Sequence, residues 1–334
     1  MTSPIYQSYF FLSLVLTILT LILAVASLVI GYIPIPLTDA LTALVTGGET
    51  SNAIIMREIR LPRMILAVLI GAVLGLSGAV LQGFLRNPLA ESGILGVGAA
   101  ASLGAVIAIY SGLSALWAFA LPLAAQTGAL IAVLILYLLS GRRTSMLTLI
   151  LAGVAITSMA GALTSLALNL SDNPYAALEI VFWMLGSLED RSMQHVLLAA
   201  PFILLSVVML LLTAKALYAL SLGEEVAQSL GINLSRTRFL AITGTALGVG
   251  AATAVAGVIG FIGLVIPHLL RPLVGHNPMR LLPISALGGA SFLLIADILT
   301  RVILVDRDLK LGVVTALVGA PFFLWLLLKT REAT

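Results

Sequence analysis

The chain has no cysteine and few charged residues. Of its 334 residues, 9% are charged and 60% are hydrophobic, and the mean hydropathy is +1.17. A soluble domain of ordinary composition carries about 25% charged residues. The composition therefore predicts an integral membrane protein. Because cysteine is absent, disulfides, thiolate metal sites and cysteine nucleophiles are excluded.

Sequence motifs for catalysis and nucleotide binding are also missing. There is no Gly-Lys-Ser/Thr step, so ATP cannot bind through a P-loop. The histidines His195, His268 and His276 lie far apart, without the spacing of metal ligands. No HExxH motif and no Ser/His/Asp arrangement stands out. We therefore expect no catalytic residue, no metal, no cofactor and no nucleic-acid partner.

Long apolar runs predict an all-α polytopic protein, since a helix needs about 20 apolar residues to cross a bilayer. We expect one transmembrane domain over 1–334. The first run lacks a basic leader and a small-residue cleavage site, so we expect it to be retained. The ten predicted spans are 11–31, 64–85, 93–110, 115–140, 146–170, 196–214, 239–257, 259–273, 281–304 and 312–328. The split near Val258 rests on Gly257, Gly260 and Gly263, and one long span plus a half-helix is the alternative.

The distribution of basic residues predicts which ends of the spans face inward, because cytoplasmic loops are enriched in Lys and Arg. Ten basic residues fall on the predicted inner side. They are Arg86, Arg142, Arg143, Lys215, Arg236, Arg238, Arg271, Arg280, Lys329 and Arg331. Seven fall on the outer side: Arg57, Arg60, Arg63, Arg191, Arg301, Arg307 and Lys310. The bias is small, so the outer arginines need a separate explanation.

Two segments between spans are long enough to fold. The outer segment covers 32–63 and the inner segment covers 215–238. In the inner segment, Gly223–Leu230 predicts a short helix with acidic residues at its start and Gly231 after its end, both favoured positions. A second helix is expected to begin at Asn233–Ser235 and to continue into the next span. This helix–turn–helix is too polar for lipid and should lie at the membrane surface.

Asp297 is the one acid well inside a predicted span. A charge at the bilayer centre costs about 2.5–3.5 kcal/mol on insertion scales. Arg301 lies four residues later on the same helical face, and an ion pair between them would lower that cost. The alternative is a role for Asp297 in the substrate path.

Residues 86–98, RNPLAESGILGVG, interrupt two apolar runs with polar residues and helix breakers. Pro88 lacks a backbone donor and should stop the incoming helix. Gly93 and Gly96 should let the chain turn and restart. Irregular backbone at membrane depth survives only where protein buries it or where it lines water. The segment is thus either a border of a pathway or an ordinary turn with Arg86 as an anchor.

Seven ordered segments resemble the FecCD family, the permease subunits of binding-protein-dependent ABC importers for ferric siderophores, haem and cobalamin. They cover about residues 55 to 328. The segments are IRLPR (59–63), LSGAVLQGFLRNPLAESGILGVGAAASLGA (76–105), LAGVAI (151–156), WMLGSL (183–188), SLGEEVAQSLGIN (221–233), GFIGLVIPHLLRPLVGHNP (260–278) and GVVTALVGAPFFLWLL (312–327).

The resemblance implies the type II ABC importer permease fold in a bacterial inner membrane. It implies a second copy of the chain, two cytoplasmic ATPase subunits and a periplasmic or lipid-anchored binding protein as partners. It assigns the inner segment to ATPase coupling, the 86–98 segment to an inner gate and the outer arginines to the binding protein. The expected coupling residues are Gly223, Glu224, Glu225, Ala227, Leu230 and Gly231. The expected gate residues are Asn87, Pro88 and Leu89, and the expected docking residues are Arg60, Arg63 and Arg301.

Two functions therefore remain to be weighed. The first is a permease without enzyme activity, driven by a separate ATPase, that carries an iron chelate, haem or cobalamin. The second is an ion-coupled secondary transporter, which needs a buried acid in a span, and Asp297 is its candidate. For the outer arginines the alternative is that Arg301 pairs with Asp297 while Arg60 and Arg63 anchor the membrane interface.

Overall fold

The structure is a computed structural model that describes residues 4–31, 33, 35–46, 50–117, 119–140, 146–303 and 309–331. Within those ranges every regular element is helical. The elements used below are α1 (Pro4–Val29), α2 (Leu37–Thr46), α3 (Ser51–Phe84), α4 (Val97–Tyr110), α5 (Ala120–Ser140), α6 (Met146–Asn169), α7 (Pro174–Met184), α8 (Met193–Leu211), α9 (Ala214–Leu220), α10 (Glu224–Ser229), α11 (Leu234–Ala256), α12 (Ile262–Leu270), α13 (Pro278–Ile303) and α14 (Leu311–Arg331).

The predicted all-α membrane fold is confirmed. Seven of the described helices are long and apolar enough to cross a bilayer, and shorter apolar helices accompany them. Each of the ten predicted spans overlaps one of these helices. The largest differences are at the start of α3, which begins at Ser51 rather than at residue 64, and at the start of α1, which begins at Pro4 rather than at residue 11. Arg142, Arg143 and Arg307, which were counted in the charge bias, lie outside the described residues.

The chain breaks between α11 and α12, near the predicted position. Helix α11 ends at Ala256, and Gly257 adopts a φ of +72°, a left-handed value that glycine takes without strain. Helix α12 then has nine residues, about 13 Å at 1.5 Å per residue. It cannot cross a hydrocarbon core of about 30 Å alone. The alternative of one long span plus a half-helix therefore describes this region.

Three of the helices named above, α2, α7 and α9, were not predicted. They have ten, eleven and seven residues, all too few for a search based on 20-residue spans. Asn173 caps α7 by accepting the N–H of Tyr175, and Pro174 occupies its first turn, where the missing N–H is tolerated. The segment between the sixth and eighth helices is thus folded rather than a simple loop.

Helices α3 and α13 pack backbone to backbone at the centre of the bundle. A β-carbon added at Gly71 would lie 2.3 Å from the carbonyl oxygen of Gly289. One added at Gly75 would lie 2.3 Å from the carbonyl oxygen of Ser285. Lipid tails are as apolar as leucine, so membrane helices associate through close packing rather than through the hydrophobic effect. These glycines therefore allow the closest approach of the two helices.

We expect Gly71→Ala to destabilise the protein by about 1–3 kcal/mol, because the new methyl group has no room beside Gly289. Gly98→Ala is the matched control, since a β-carbon at Gly98 meets nothing within 4 Å. Thermal unfolding of the detergent-solubilised protein, followed by fluorescence-detected size exclusion, measures the difference. Equal unfolding temperatures for the two variants would contradict the close α3–α13 contact.

Candidate functional site

The inner segment folds as the sequence predicts. Gly223 precedes α10 with a φ of +117°, and Gly231 follows it with a φ of +78°. The N–H of Ile232 bonds the carbonyl of Ala227 at 3.0 Å, and the N–H of Gly231 bonds that of Gln228 at 2.9 Å. This pair of bonds is the Schellman motif, which satisfies the last carbonyls of a helix and favours glycine at its left-handed position.

One face of the inner segment is anchored and another is exposed. Ala227 is fully buried in the main hydrophobic cluster. Leu222, Val226 and Leu230 are exposed by 59%, 43% and 63% of their surface. The preceding helix α9 packs against the inner end of α3, where a β-carbon at Gly83 would lie 3.4 Å from a methyl of Leu217. The segment thus joins an exposed apolar surface to the helix that leads into residues 85–91.

Residues 85–91 form a compact turn after α3. The helix ends at Phe84, four residues before Pro88. Asn87 folds the turn, because its Oδ1 accepts the backbone N–H of Leu89 at 2.9 Å. Pro88 is exposed, whereas Asn87 and Leu89 are partly buried. Asn87, Pro88 and Leu89 are therefore brought together at the inner end of α3.

A cavity of about 440 Å³ lies next to this turn. It is bounded by the 3₁₀ helix Ser92–Leu95, by α4, by α6 and by the loop between α11 and α12. Glu91 is the one ionisable side chain among its described lining residues. The other polar side chains that line it are hydroxyls: Ser92, Ser102, Thr157, Thr164, Ser165 and Thr253.

Gln82 joins α3 to the half-helix α12. Its Nε2 donates to the carbonyls of Gly263 at 3.1 Å and Leu264 at 3.3 Å, and its Oε1 accepts from Arg271 at 2.5 Å. The Gly263 carbonyl lacks its usual helical donor, because the residue four positions later is Pro267 and has no N–H. The fully buried Gln82 amide replaces that donor.

At the outer end, Asp297 lies between two arginines with no exposed surface. Its Oδ2 is 2.5 Å from Nη2 of Arg301, which confirms the predicted i,i+4 pair. Its Oδ1 accepts Nε of Arg63 from α3 at 2.8 Å, which the sequence did not predict. Asp297 therefore links α13 to α3 and is fully engaged by these two cations.

Arg60 and Arg301 also cap the C-terminal end of α1. Arg60 donates to the carbonyls of Leu28 at 2.6 Å, Val29 at 2.8 Å and Ile33. Arg301 donates to the Ser27 and Ile30 carbonyls at 2.9 Å each. The last carbonyls of a helix lack partners within it and carry partial negative charge. Two guanidinium groups from other helices supply those partners here.

The predicted docking arginines thus occupy structural positions. Arg60 and Arg301 are 5% and 4% exposed, and their guanidinium groups bond carbonyls at the end of α1. The side chain of Arg63 is 12% exposed while it bonds Asp297. The geometry favours the alternative that these arginines stabilise the bundle. Arg60 contacts the end of α1, and Arg63 contacts Asp297.

Sequence reasoning missed Glu91, Gln82 and the role of Arg60. Each acts on a helix that is distant in the sequence, so periodicity could not reveal its partner. A signal existed for Gln82, since Pro267 leaves the Gly263 carbonyl without a helical donor. A signal also existed for the arginines, because three of them were assigned to the outer side and the one acid well inside a span lies four residues before Arg301.

We expect Arg60→Met to lower the stability of the folded protein by at least about 2 kcal/mol, because three carbonyls lose their donor. Arg236→Met, a change at an exposed arginine, is the control. Thermal unfolding in detergent measures both. If Arg60→Met unfolds like the wild type and instead weakens a binding protein, the capping role is wrong.

The chain is similar in sequence to several transport permease proteins. The chain is 40% identical to the hemin transport system permease protein HmuU of Yersinia pestis, over 82% of this chain and 83% of that one. It is 39% identical to the Fe(3+) dicitrate transport system permease protein FecD of Escherichia coli, over 92% and 95%. It is 40% identical to the cobalamin import system permease protein BtuC of Halobacterium salinarum, over 90% and 81%.

A solved structure supports the same relationship. A protein assigned to the metal-chelate type of ABC transporter, determined in an inward-facing conformation, superposes with a TM-score of 0.85 at 35% identity. The match covers 95% of this chain and 98% of the other. The model of the FecCD transport family matches residues 19–329. With its helical bundle and inner helix–turn–helix, the chain therefore belongs to the FecCD transport family.

Proposed function

We propose that the chain is the permease subunit of an ATP-driven importer in a bacterial inner membrane. Two copies form the pathway, and two separate ATPase subunits bind their inner faces. A periplasmic or lipid-anchored binding protein delivers the substrate to the outer face. The permease itself carries no enzyme activity in this proposal.

The exposed apolar surface of the inner segment is the observation that carries the proposal. Leu222, Val226 and Leu230 are exposed on a segment too polar for lipid, which favours a surface that another protein covers. Ala227 fixes the other side of α10 to the bundle. A push on α10 would pass through α9 to the inner end of α3. We therefore assign ATPase coupling to Gly223, Glu224, Glu225, Ala227, Leu230 and Gly231.

The turn at Asn87, Pro88 and Leu89 is proposed as the inner gate. It follows directly from the end of α3, which α9 contacts at Gly83. A movement of the inner segment would therefore reach the turn through one helix end. The bond from Leu89 N–H to Asn87 Oδ1 keeps the turn compact, so the turn can move as a unit.

Docking of the binding protein is proposed for Arg63 alone among the three outer arginines. Arg63 has partial exposure, whereas the other two are buried at the end of α1. A guanidinium has five donors, so Arg63 can keep Asp297 and still meet a carboxylate of the partner. Arg60 and Arg301 would support this surface by fixing the end of α1.

The proposed substrate is an iron chelate, haem or cobalamin. The three relatives above are named for hemin, Fe(3+) dicitrate and cobalamin. One chain has a cavity of about 440 Å³, lined by small, apolar and hydroxyl-bearing residues and by Glu91. In this proposal the cavity belongs to the pathway that two copies form.

The ion-coupled secondary transporter is less well supported. Such a carrier needs a buried acid that is free to bind an ion or a proton, and Asp297 was the candidate. Arg63 and Arg301 hold both of its carboxylate oxygens, and it has no exposed surface. Asp297 is therefore a structural ion-pair partner and is not free to bind an ion or a proton.

Uptake by the reconstituted complex tests the proposal. Proteoliposomes containing the permease, its ATPase and its binding protein should accumulate one of the labelled chelates only when ATP and both partners are present. Gly231→Val should abolish uptake and ATPase co-purification, because a left-handed residue with a β-branch costs about 1–2 kcal/mol. Gly231→Asn is the control and should retain both, since asparagine tolerates that conformation. ATP-independent uptake, or normal coupling in Gly231→Val, would contradict the proposal.

Cross-linking tests the gate. The chain has no cysteine, so Leu89→Cys introduces a single thiol. Disulfide formation requires β-carbons about 3.5–4.5 Å apart. We expect the two copies to cross-link through position 89 in one nucleotide state of the complex and not in another. A cross-link that is never formed, or that is indifferent to nucleotide, would count against Leu89 as a gate.

A further inference from the structure

Phe261 has an unusual backbone conformation. It precedes α12 with a φ of +69° and a ψ of −21°, in the left-handed region. A bulky side chain is disfavoured there because its β-carbon crowds the following carbonyl. Such strain persists where neighbouring groups fix the conformation, and it concentrates at functional sites.

Two distant elements hold Phe261 in place. Glu91, from the turn after α3, lines the same cavity as Phe261. Burial raises the pKa of its carboxyl, and an interaction with the backbone N–H of Phe261 opposes that rise. On the other side, Gly319 of α14 leaves room for the aromatic side chain, because a β-carbon at 319 would lie 2.2 Å from both Cβ and Cγ of Phe261. Glu91 and Gly319 therefore fix the backbone and the side chain respectively.

Phe261 also lies between two cavities. One is the cavity of about 440 Å³ described above. The other, of about 640 Å³, is bounded by the end of α7 and the outer half of α14. Met184, Val258, Gly260 and Phe261 line both cavities. Phe261 has the largest side chain of the four, so its position decides how widely the cavities connect.

We propose that Phe261 is a gate residue between these two cavities, held closed by Glu91 and accommodated by Gly319. This inference rests on the proposed function, in which the cavities belong to the substrate pathway. If the Phe261 N–H left Glu91, residue 261 could leave its strained conformation. Its ring would then move away from its position between the two cavities. The role of Glu91, the acid of the 86–98 segment, is then to position Phe261.

Accessibility of a single thiol tests the gate without any substrate. Thr157→Cys places the thiol in the smaller cavity of the cysteine-free chain. A sulfonated, membrane-impermeant maleimide is added from the outer side of proteoliposomes. We expect Phe261→Gly to raise the labelling rate at least tenfold, because glycine keeps the left-handed backbone and removes the ring. Phe119→Gly, a turn phenylalanine outside both cavities, is the control and should not change the rate.

Glu91 and Gly319 are tested in the same assay. Glu91→Gln retains an acceptor for the Phe261 N–H and should label slowly, whereas Glu91→Ala should label fast. Gly319→Ala should also label fast, because its methyl group displaces the ring. The double variant Phe261→Gly/Gly319→Ala should label no faster than Phe261→Gly alone, since the group that clashes is gone.

The outcomes separate this proposal from the proposed function. If folded Phe261→Gly labels at a rate within twofold of the Thr157→Cys parent, the gate is wrong. It is also wrong if the double variant labels faster than Phe261→Gly by the factor that Gly319→Ala alone produces. Size-exclusion profiles identify the folded variants, and Phe261→Asn, which also tolerates the left-handed region, replaces Phe261→Gly if that variant fails to fold. If the complex takes up none of the chelates but the labelling rates differ as expected, the proposed function is wrong and the gate is supported.

Discussion

The ion-pair cluster around Asp297 fixes the central helices of the bundle. A carboxylate without exposed surface costs several kcal/mol to desolvate, and removal of one partner from a buried pair costs about 3–5 kcal/mol. Arg63 and Arg301 balance that charge from two helices, α3 and α13. Arg301 and Arg60 then bind the carbonyls at the end of α1. One acid and three arginines therefore set the relative positions of α1, α3 and α13.

The same requirement for satisfied polar groups explains the broken helices. In a bilayer, backbone groups outside a regular helix need partners within the protein. Gln82 supplies the donor that Pro267 removes from the Gly263 carbonyl. Glu91 adjoins the backbone of Phe261 just ahead of the same half-helix, where both residues line one cavity. Irregular backbone at this depth thus depends on single side chains from α3 and the turn after it, and those side chains adjoin the cavity.

Local features of the sequence predicted much of this structure. The spans followed from apolar length, the inner helix from its acidic start and Gly231, and the Asp297–Arg301 pair from its spacing of four residues. The Arg63–Asp297 pair joins residues 234 positions apart, so no periodicity indicates it. The link from Gln82 to Gly263 is also non-local, although Pro267 marks the carbonyl that needs it. Helix α7 was not predicted, because its apolar run is too short for a membrane span.

Asp297 and Arg63 couple α13 to α3, and a double-mutant cycle measures that coupling. Arg63→Gln, Asp297→Asn and the double variant are unfolded by SDS titration from dodecyl maltoside micelles, beside the wild type. We expect an interaction free energy of about 1–3 kcal/mol between Arg63 and Asp297. Strictly additive effects of the two substitutions would contradict it.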